Sequence, residues 1–280
     1  MQAVIRPLSV TDIPDAMKLV HQAGWNQTHA DWMRFLAATP AGCFKALVDG
    51  HFVGTVTTMA YGERLAWIGM VLVDRAHRSQ GIGRLLMETV LDHADRAGVR
   101  CVMLDATPAG RELYAKFGFV EQERLERWEL TRYEITRSIE PPAQRTSEHV
   151  MDLDRTLFGA DRRGLLRSLE AEAPELAIEL IDDTIIRGYA FGRRGTLADH
   201  LGPWMARDER AAADLLDRFL ERSARSRVFV DRFVRHDTTL RLMKARGFQL
   251  SRPLTRMCRG ERPVSAQGPT LLAAAGPEFG

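Results

Sequence analysis

Cysteine is scarce in this chain of 280 residues: Cys43, Cys101 and Cys258 are the only three. Three well-separated cysteines without a CxxC pair argue against both a disulfide framework and a structural zinc site. No metal is expected, and a reducing cytoplasm is the natural setting. Long apolar runs are also missing. No stretch approaches the ~20 residues that a membrane helix needs, and MQAVIRPLSVTDIPDAMKLV lacks the basic start and unbroken apolar core of a signal peptide, so no membrane association is expected. Nor is there an excess of either charge. Lys and Arg number 39 against 37 Asp and Glu, a net charge of +2, which is too even for a nucleic-acid footprint. The composition, 45% hydrophobic and 27% charged, is that of a folded globular chain of about two domains.

The pattern along the chain alternates strand and helix. Ala3 to Ile5 reads as a short strand. Asp12 and Pro14 open a helix with Ala16, Leu19, Val20 and Ala23 on one stripe, closed by Gly24, and a second helix runs from Ala30 to Ala38 before Pro40. Phe44 to Val48 and Phe52 to Met59 read as strands joined by an Asp49-Gly50 turn. Leu65 to Val73 is an almost continuous apolar run, expected to be a central strand buried on both faces. After it come Arg78-Ser79-Gln80-Gly81-Ile82-Gly83, an amphipathic helix closed by Gly98, a strand from Cys101, a helix from Arg111 to Phe117, and a strand from Phe119 to about Leu130.

Residues 138–147, SIEPPAQRTS, read as a linker, and the chain beyond repeats what precedes it. Asp183 to Gly188 mirrors Asp49 to Gly54, LGPWMA (201–206) mirrors IGMVLV (68–73), VFVD (228–231) mirrors VMLD (102–105), and LMKARGF (242–248) mirrors LYAKFGF (113–119). Gly69 and Asp105 are 36 residues apart, whereas Gly202 and Asp231 are 29 apart. The seven missing residues fall where the first copy carries RSQGIG, and Met243 stands in place of Tyr114. The domains expected are 1–135, a linker 136–147, and a degenerate copy 148–280.

The RSQGIG loop is the sharpest chemical signal. A loop leaving a buried strand and entering a helix aims free backbone N–H groups at one point, at the positive end of the helix dipole. Gly81 and Gly83 let a diphosphate approach the main chain, and Arg78 adds a charged partner. The loop is neither a P-loop nor GxGxxG.

The order strand, RxxGxG, helix, strand, LYAKFGF resembles the GNAT superfamily of acetyltransferases, whose acyl-CoA loop has the pattern [Q/R]xxGx[G/A]. The resemblance is strongest over residues 1–130. The weaker copy, with GPW at 202–204 and GPEFG at 276–280, is similar to a two-domain subgroup with a degenerate second GNAT-like domain. It implies an α/β (α+β) fold of tandem GNAT-like domains, each a mixed, mostly antiparallel sheet flanked by helices. It also implies an acetyl-CoA-dependent N-acetyltransferase acting by direct attack in a ternary complex. Site residues carry over one by one. Met70, Val71, Leu72 and Val73 would offer main chain to the pantetheine arm, with an N–H near Met70 or Val71 beside the thioester carbonyl. Arg78, Ser79, Gln80, Gly81, Ile82, Gly83 and Arg84 would hold the diphosphate. Tyr114 would protonate the departing thiolate, and Glu63 stands roughly where some members carry a glutamate base.

Between the first two helices, WNQTHADW (25–32) suits a wall that recognises a polar amine, so Trp25, Asn26, Gln27 and Asp31 are candidate acceptor contacts. His200, Trp204, Asp231 and the segment from Phe158 to Arg162 stand out in the second copy, which is expected to close one side of the acceptor pocket. The partner expected is a small-molecule amine. A non-catalytic acyl-CoA sensor, or a transferase acting on protein lysines or N-termini, are the alternatives.

Overall fold

The computed structural model of the chain describes residues 3–133, 145–261 and 271–280. Most of the expected linker lies outside the described residues. The first half runs β1 (Val4–Pro7), α1 (Ile13–Ala23), α2 (His29–Ala38), β2 (Phe44–Val48), β3 (His51–Tyr61), β4 (Leu65–Val73), α3 (Ile82–Arg96), β5 (Cys101–Ala106), α4 (Pro108–Ala115) and β6 (Val120–Thr131). The second runs α5 (Glu148–Phe158), α6 (Arg163–Glu172), β7 (Ile178–Asp182), β8 (Ile185–Arg193), β9 (Asp199–Ala206), α7 (Glu209–Arg222), β10 (Arg227–Phe233), α8 (Asp237–Ala245), β11 (Gln249–Gly260) and β12 (Leu271–Ala273).

Local chemistry sets the boundaries. Gly24 ends α1 in the left-handed conformation (φ 66°). Thr28 and Asp31 form a reciprocal capping box at the start of α2. Thr107 accepts from Gly110 N–H, which starts α4 at Pro108, three residues before the start read from the sequence. The two halves repeat as the sequence indicates. The β2–β3 and β7–β8 turns both place an aspartate at positive φ, Asp49 at 50° and Asp183 at 53°. The pair β4–β5 is parallel over Leu65–Trp67, and β9–β10 is parallel over Asp199–Leu201.

The two halves share one mixed sheet of twelve strands, in the order β1-β2-β3-β4-β5-β11-β6-β10-β12-β9-β8-β7. β11, from the second half, lies between β5 and β6 of the first. β6, from the first, lies between β11 and β10 of the second. This exchange pairs two strands that would otherwise present open edges. Helix α3 packs on one face of β2–β5 through Ile82, Leu86, Met87 and Val90. On the other face α1, α2, α5 and α6 build a core common to both halves around Trp32, Phe35, Trp67, Phe158 and Phe279.

Residues 271–280 stitch the halves together. β12 fits between β9 and β10, and the chain then crosses to the first half. Trp67 Nε1 donates to the Pro277 carbonyl (2.8 Å), Tyr61 Oη to the Phe279 carbonyl (2.7 Å) and Arg162 Nη1 to the Gly280 carbonyl (2.6 Å), while the Phe279 ring stacks on Phe35 at 4.9 Å. Arg162 also grips Asp154 with two hydrogen bonds (2.8 and 2.9 Å), and both side chains are fully buried. Replacing Arg162 with Met strips a buried carboxylate of its counter-charge. The expected cost is about 3–5 kcal/mol of stability, read as a lowered midpoint in chemical denaturation.

Candidate active site

The parallel pairing of β4 with β5 lasts three residues and stops at Trp67. Beyond it the strands separate. β4 also carries a bulge against β3: Thr55 pairs with Leu72 and Thr57 with Gly69, so Met70 and Val71 together face a single residue. Met70 sits at φ 52°, an uncommon conformation for a side chain of that size, and its carbonyl accepts a hydrogen bond from Thr55 Oγ1 at 2.8 Å. The result is a split in the sheet with the main chain of Gly69–Val71 turned along its edge. A cleft opens there, lined by Gly69, Met70 and Val71 on one side and by Leu104, Asp105 and Tyr114 on the other.

The loop of residues 78–83 leads into α3 at one end of this split. Gly81 takes φ 80° and Ser79 φ 61°. Helix α3 has no side-chain cap and no acidic residue in its first turn, so its leading N–H groups and dipole are available to an anion. A Cβ on Gly81 would meet no atom within 4 Å, and one on Gly83 would point towards Val73 and Leu113 at the edge of the split. Arg78 and Arg84 are exposed; Arg78 Nε bonds the Val73 carbonyl (3.2 Å) and Arg84 pairs with Glu88 (2.8 Å). Ile82 alone in this stretch is buried, anchoring the helix on the core, and Leu72 is likewise a core residue. The loop and the split therefore fit a long thiol ester with a diphosphate at one end.

Tyr114 reaches the cleft from α4, and desolvation pushes its phenol up to about 12. Glu63 is not brought to this place. It is exposed in the turn between β3 and β4, at the far end of β4 from the bulge. Of the four candidate acceptor contacts, Trp25 and Gln27 line the cleft; Asn26 and Asp31 do not appear in its wall. Asn26 instead pins the halves together. Its amide donates to the Ala198 carbonyl and accepts from the N–H groups of Leu197 and Ala198, at 2.9–3.0 Å. Asp31 caps α2 and is ion-paired with Arg34 and Arg193 in a fully buried cluster.

The other wall comes from the second half: Arg252 and Leu254 on β11, then Pro277 and Glu278. Glu278 passes so close to β4 that a Cβ on Gly69 would lie 3.1 Å from its Cα. Its carboxylate is ion-paired with Arg193 through Oε1. Burial opposes its charge, but Arg193, Arg127 and His200 outweigh it and hold the carboxyl below the usual glutamate range. Asp105 is clamped by Arg256 through two bonds of 2.9 Å, with burial pushing its carboxyl up against that pairing. Sequence reasoning missed Arg252 and Glu278 as site residues: Arg252 carries no local motif, and Glu278 lies in the GPEFG segment, which marked the second copy and not the cleft.

Among the described residues the second copy offers no equivalent site. Asp208 caps α7 through Ala211 N–H and Glu209 follows it, putting negative charge where α3 leaves room for an anion. Pro203 stands at the position matching Met70 and has no N–H to give. β12 fills the place between β9 and β10. His200 and Asp231, singled out in the sequence, belong to a buried structural cluster: His200 Nε2 lies 2.9 Å from Asp231 Oδ2, and Arg127 grips the same carboxylate. Among the described residues no group of three or more His, Cys, Asp or Glu side chains could hold a metal, and no helix is long and apolar enough to cross a membrane.

A split strand pair with a bulge, an uncapped helix beside it and a protonated phenol across the opening define an acyltransferase fold. Two family models agree: one described as acetyltransferase (GNAT) family matches residues 10–119, and one described as acetyltransferase (GNAT) domain matches residues 150–272. The chain belongs to the GNAT acetyltransferases and is an N-acetyltransferase, in a family that moves acyl groups from acyl-CoA. It is 25% identical over 209 residues to the uncharacterized N-acetyltransferase YitH of Bacillus subtilis, covering 72% of each chain. It is 24% identical over 243 residues to the holothin acyltransferase of a Pseudoalteromonas species, covering 85% of this chain and 82% of that one. A crystal structure from Pyrococcus horikoshii superposes with a TM-score of 0.81 at 23% identity, over 99% of this chain and 96% of the other.

Gly81→Asp and Gly83→Asp each place a carboxylate at the head of α3. Both are expected to abolish acetyl-CoA binding in calorimetry, and unchanged affinity in both would remove the loop from the site.

Proposed function

We propose that the protein transfers the acetyl group of acetyl-CoA to the primary amine of a small molecule, by direct attack in a ternary complex. The observation that carries this reading is the meeting of the Met70 bulge and Tyr114 in one cleft, with the uncapped head of α3 beside Val73 and Leu113 at the end of the same split. The loop of residues 78–84 would hold the diphosphate, and the open edge of Met70–Val73 would receive the pantetheine arm. A backbone N–H at Met70 or Val71 then faces the thioester oxygen as negative charge develops on it. The amine nitrogen attacks the carbonyl carbon, the carbon–sulfur bond breaks, and the Tyr114 hydroxyl gives its proton to the departing thiolate.

The walls favour a small acceptor over a protein. Arg252, Pro277 and Glu278 close the side opposite β4, and the acceptor loop is held from the second half, where Thr196 N–H donates to the Asn26 carbonyl at 3.0 Å. That arrangement leaves a recess between the halves instead of an open groove. The relative that acts on holothin, by its name, matches over most of both chains and supports an amine outside proteins.

Tyr114→Phe is expected to lower kcat by about 10²–10⁴-fold with little change in KM, followed as thiol release with a panel of primary amines. An unaltered rate returns Tyr114 to the core. Because the phenol stays protonated until pH nears 12, its loss sets no basic limb below that. The wild-type rate should climb as the amine deprotonates, with no falling limb through pH 10. Intact acetyl-CoA binding without turnover of any amine would identify a sensor instead.

A further inference from the structure

Two charged side chains of opposite sign line the cleft from the second half; Glu278 supports the charge on Arg252 from a distance, without an ion pair between them. Glu278 is 3% exposed; Arg193 takes its Oε1, the Gln27 side chain helps to hold the carboxylate charged, and Oε2 has no partner at full hydrogen-bond geometry. Arg252 also lines the cleft, with its Nε buried and unbonded, and among the described residues no ion pair reaches its guanidinium. A buried polar atom without a partner is costly, and a bound ligand that completes it is one physical reason for a folded chain to keep one.

Their positions assign them to the acceptor side. Along β11, Arg252, Leu254 and Arg256 alternate onto one face, the face of Trp67 and Phe279, whereas Met257 packs on the α3 side. Glu278 lies against Gly69, one residue before the bulge where the reacting carbonyl is expected. Asp105 is the other carboxylate in the wall, but Arg256 occupies both of its oxygens. Of these two carboxylates, Glu278 alone keeps an oxygen, Oε2, without a partner at hydrogen-bond geometry.

Resting on the transferase reading above, we infer that the acceptor is an amino acid or a close analogue, its amine taken by Glu278 and its carboxylate by Arg252. The ammonium binds as an ion pair with Glu278 and gives up one proton to solvent before it reacts. As the carbon–nitrogen bond forms, the nitrogen becomes acidic and its second proton passes to Glu278 Oε2. Tyr114 supplies a proton to the thiolate, and Glu278 and Tyr114 are restored through solvent. Amine and acetyl-CoA thus give the N-acetyl amino acid and free thiol, with no oxidant or other reactant. Arg252 is a specificity residue, because a guanidinium matches a carboxylate and discriminates against a neutral amide.

The test compares free L-amino acids with their carboxamides and with the decarboxylated amines, in acetyl-CoA calorimetry and thiol release. Wild type should favour at least one free amino acid over its carboxamide by about 50-fold or more in kcat/KM. Arg252→Gln should bring that ratio towards one, and Glu278→Gln should lower kcat/KM by about 100-fold or more for the amino acid while acetyl-CoA still binds. Equal turnover of acid and amide by wild type, or a preference that survives Arg252→Gln, overturns the inference. So does acetyl-CoA binding with turnover of amines but of no amino acid. If acetyl-CoA does not bind at all, the transferase reading falls by itself. Saturation-transfer NMR of the same amino acids on wild type and Arg252→Gln then decides the subsite: a transfer signal seen with wild type and abolished by the substitution upholds it, and no transfer signal with wild type removes it.

Discussion

Everything in this active site depends on two parallel strands that part after three residues. Parallel pairing normally satisfies the backbone groups that face the neighbouring strand, so stopping it leaves a row of polar main chain that something must engage. The first half leaves that row facing a cleft between Met70 and Leu104. The second half meets the same geometry by inserting β12 between β9 and β10. One sequence pattern, used twice, gives an open split and a filled one. Asp208 at the head of α7 completes the difference, since a carboxylate already holds the place an anion would take.

The charges beneath the cleft form a connected buried layer. Asp31, Arg193 and Glu278 are linked in one chain of ion pairs, and Arg127, Asp231 and His200 in another. Such layers cost desolvation and return little net stability, but removing one member leaves its partner stranded. Here the layer joins α2 to β8 and to residues 271–280, so the wall carrying Glu278 is tied to the wall carrying Gln27. The relative position of the two walls is held by these buried ion pairs.

Much of this was readable from local patterns. RSQGIG between an apolar run and an amphipathic helix located the loop and α3, and the offset between IGMVLV and LGPWMA located β9. The spacing deficit before VFVD located the missing loop. What the sequence hid lies in long-range pairing. Glu278 comes within reach of Gly69 from more than 200 positions away, and Arg252 enters only because β11 crosses into the first half. No periodicity marks either. Asp31 is different: Thr28-x-x-Asp31 is a capping-box pattern, a signal that this carboxylate serves the helix. Glu63 shows the limit of carrying a role across by approximate position, because a turn at the start of β4 faces away from its other end.

The exchange of β6 and β11 also bears on how the chain comes to be folded during synthesis. The catalytic half cannot complete its sheet when its own 130 residues have left the ribosome, because the strand beside β5 has not been made. Pairings between β5 and β11 span some 150 residues, a separation that slows folding and keeps an apolar edge exposed meanwhile. The order of appearance is therefore inverted: the half with the open split is translated first and finished last. A nascent chain interrupted before β11 would hold the RSQGIG loop on an incomplete sheet, without Arg252, Leu254 and residues 277–278 to wall the cleft.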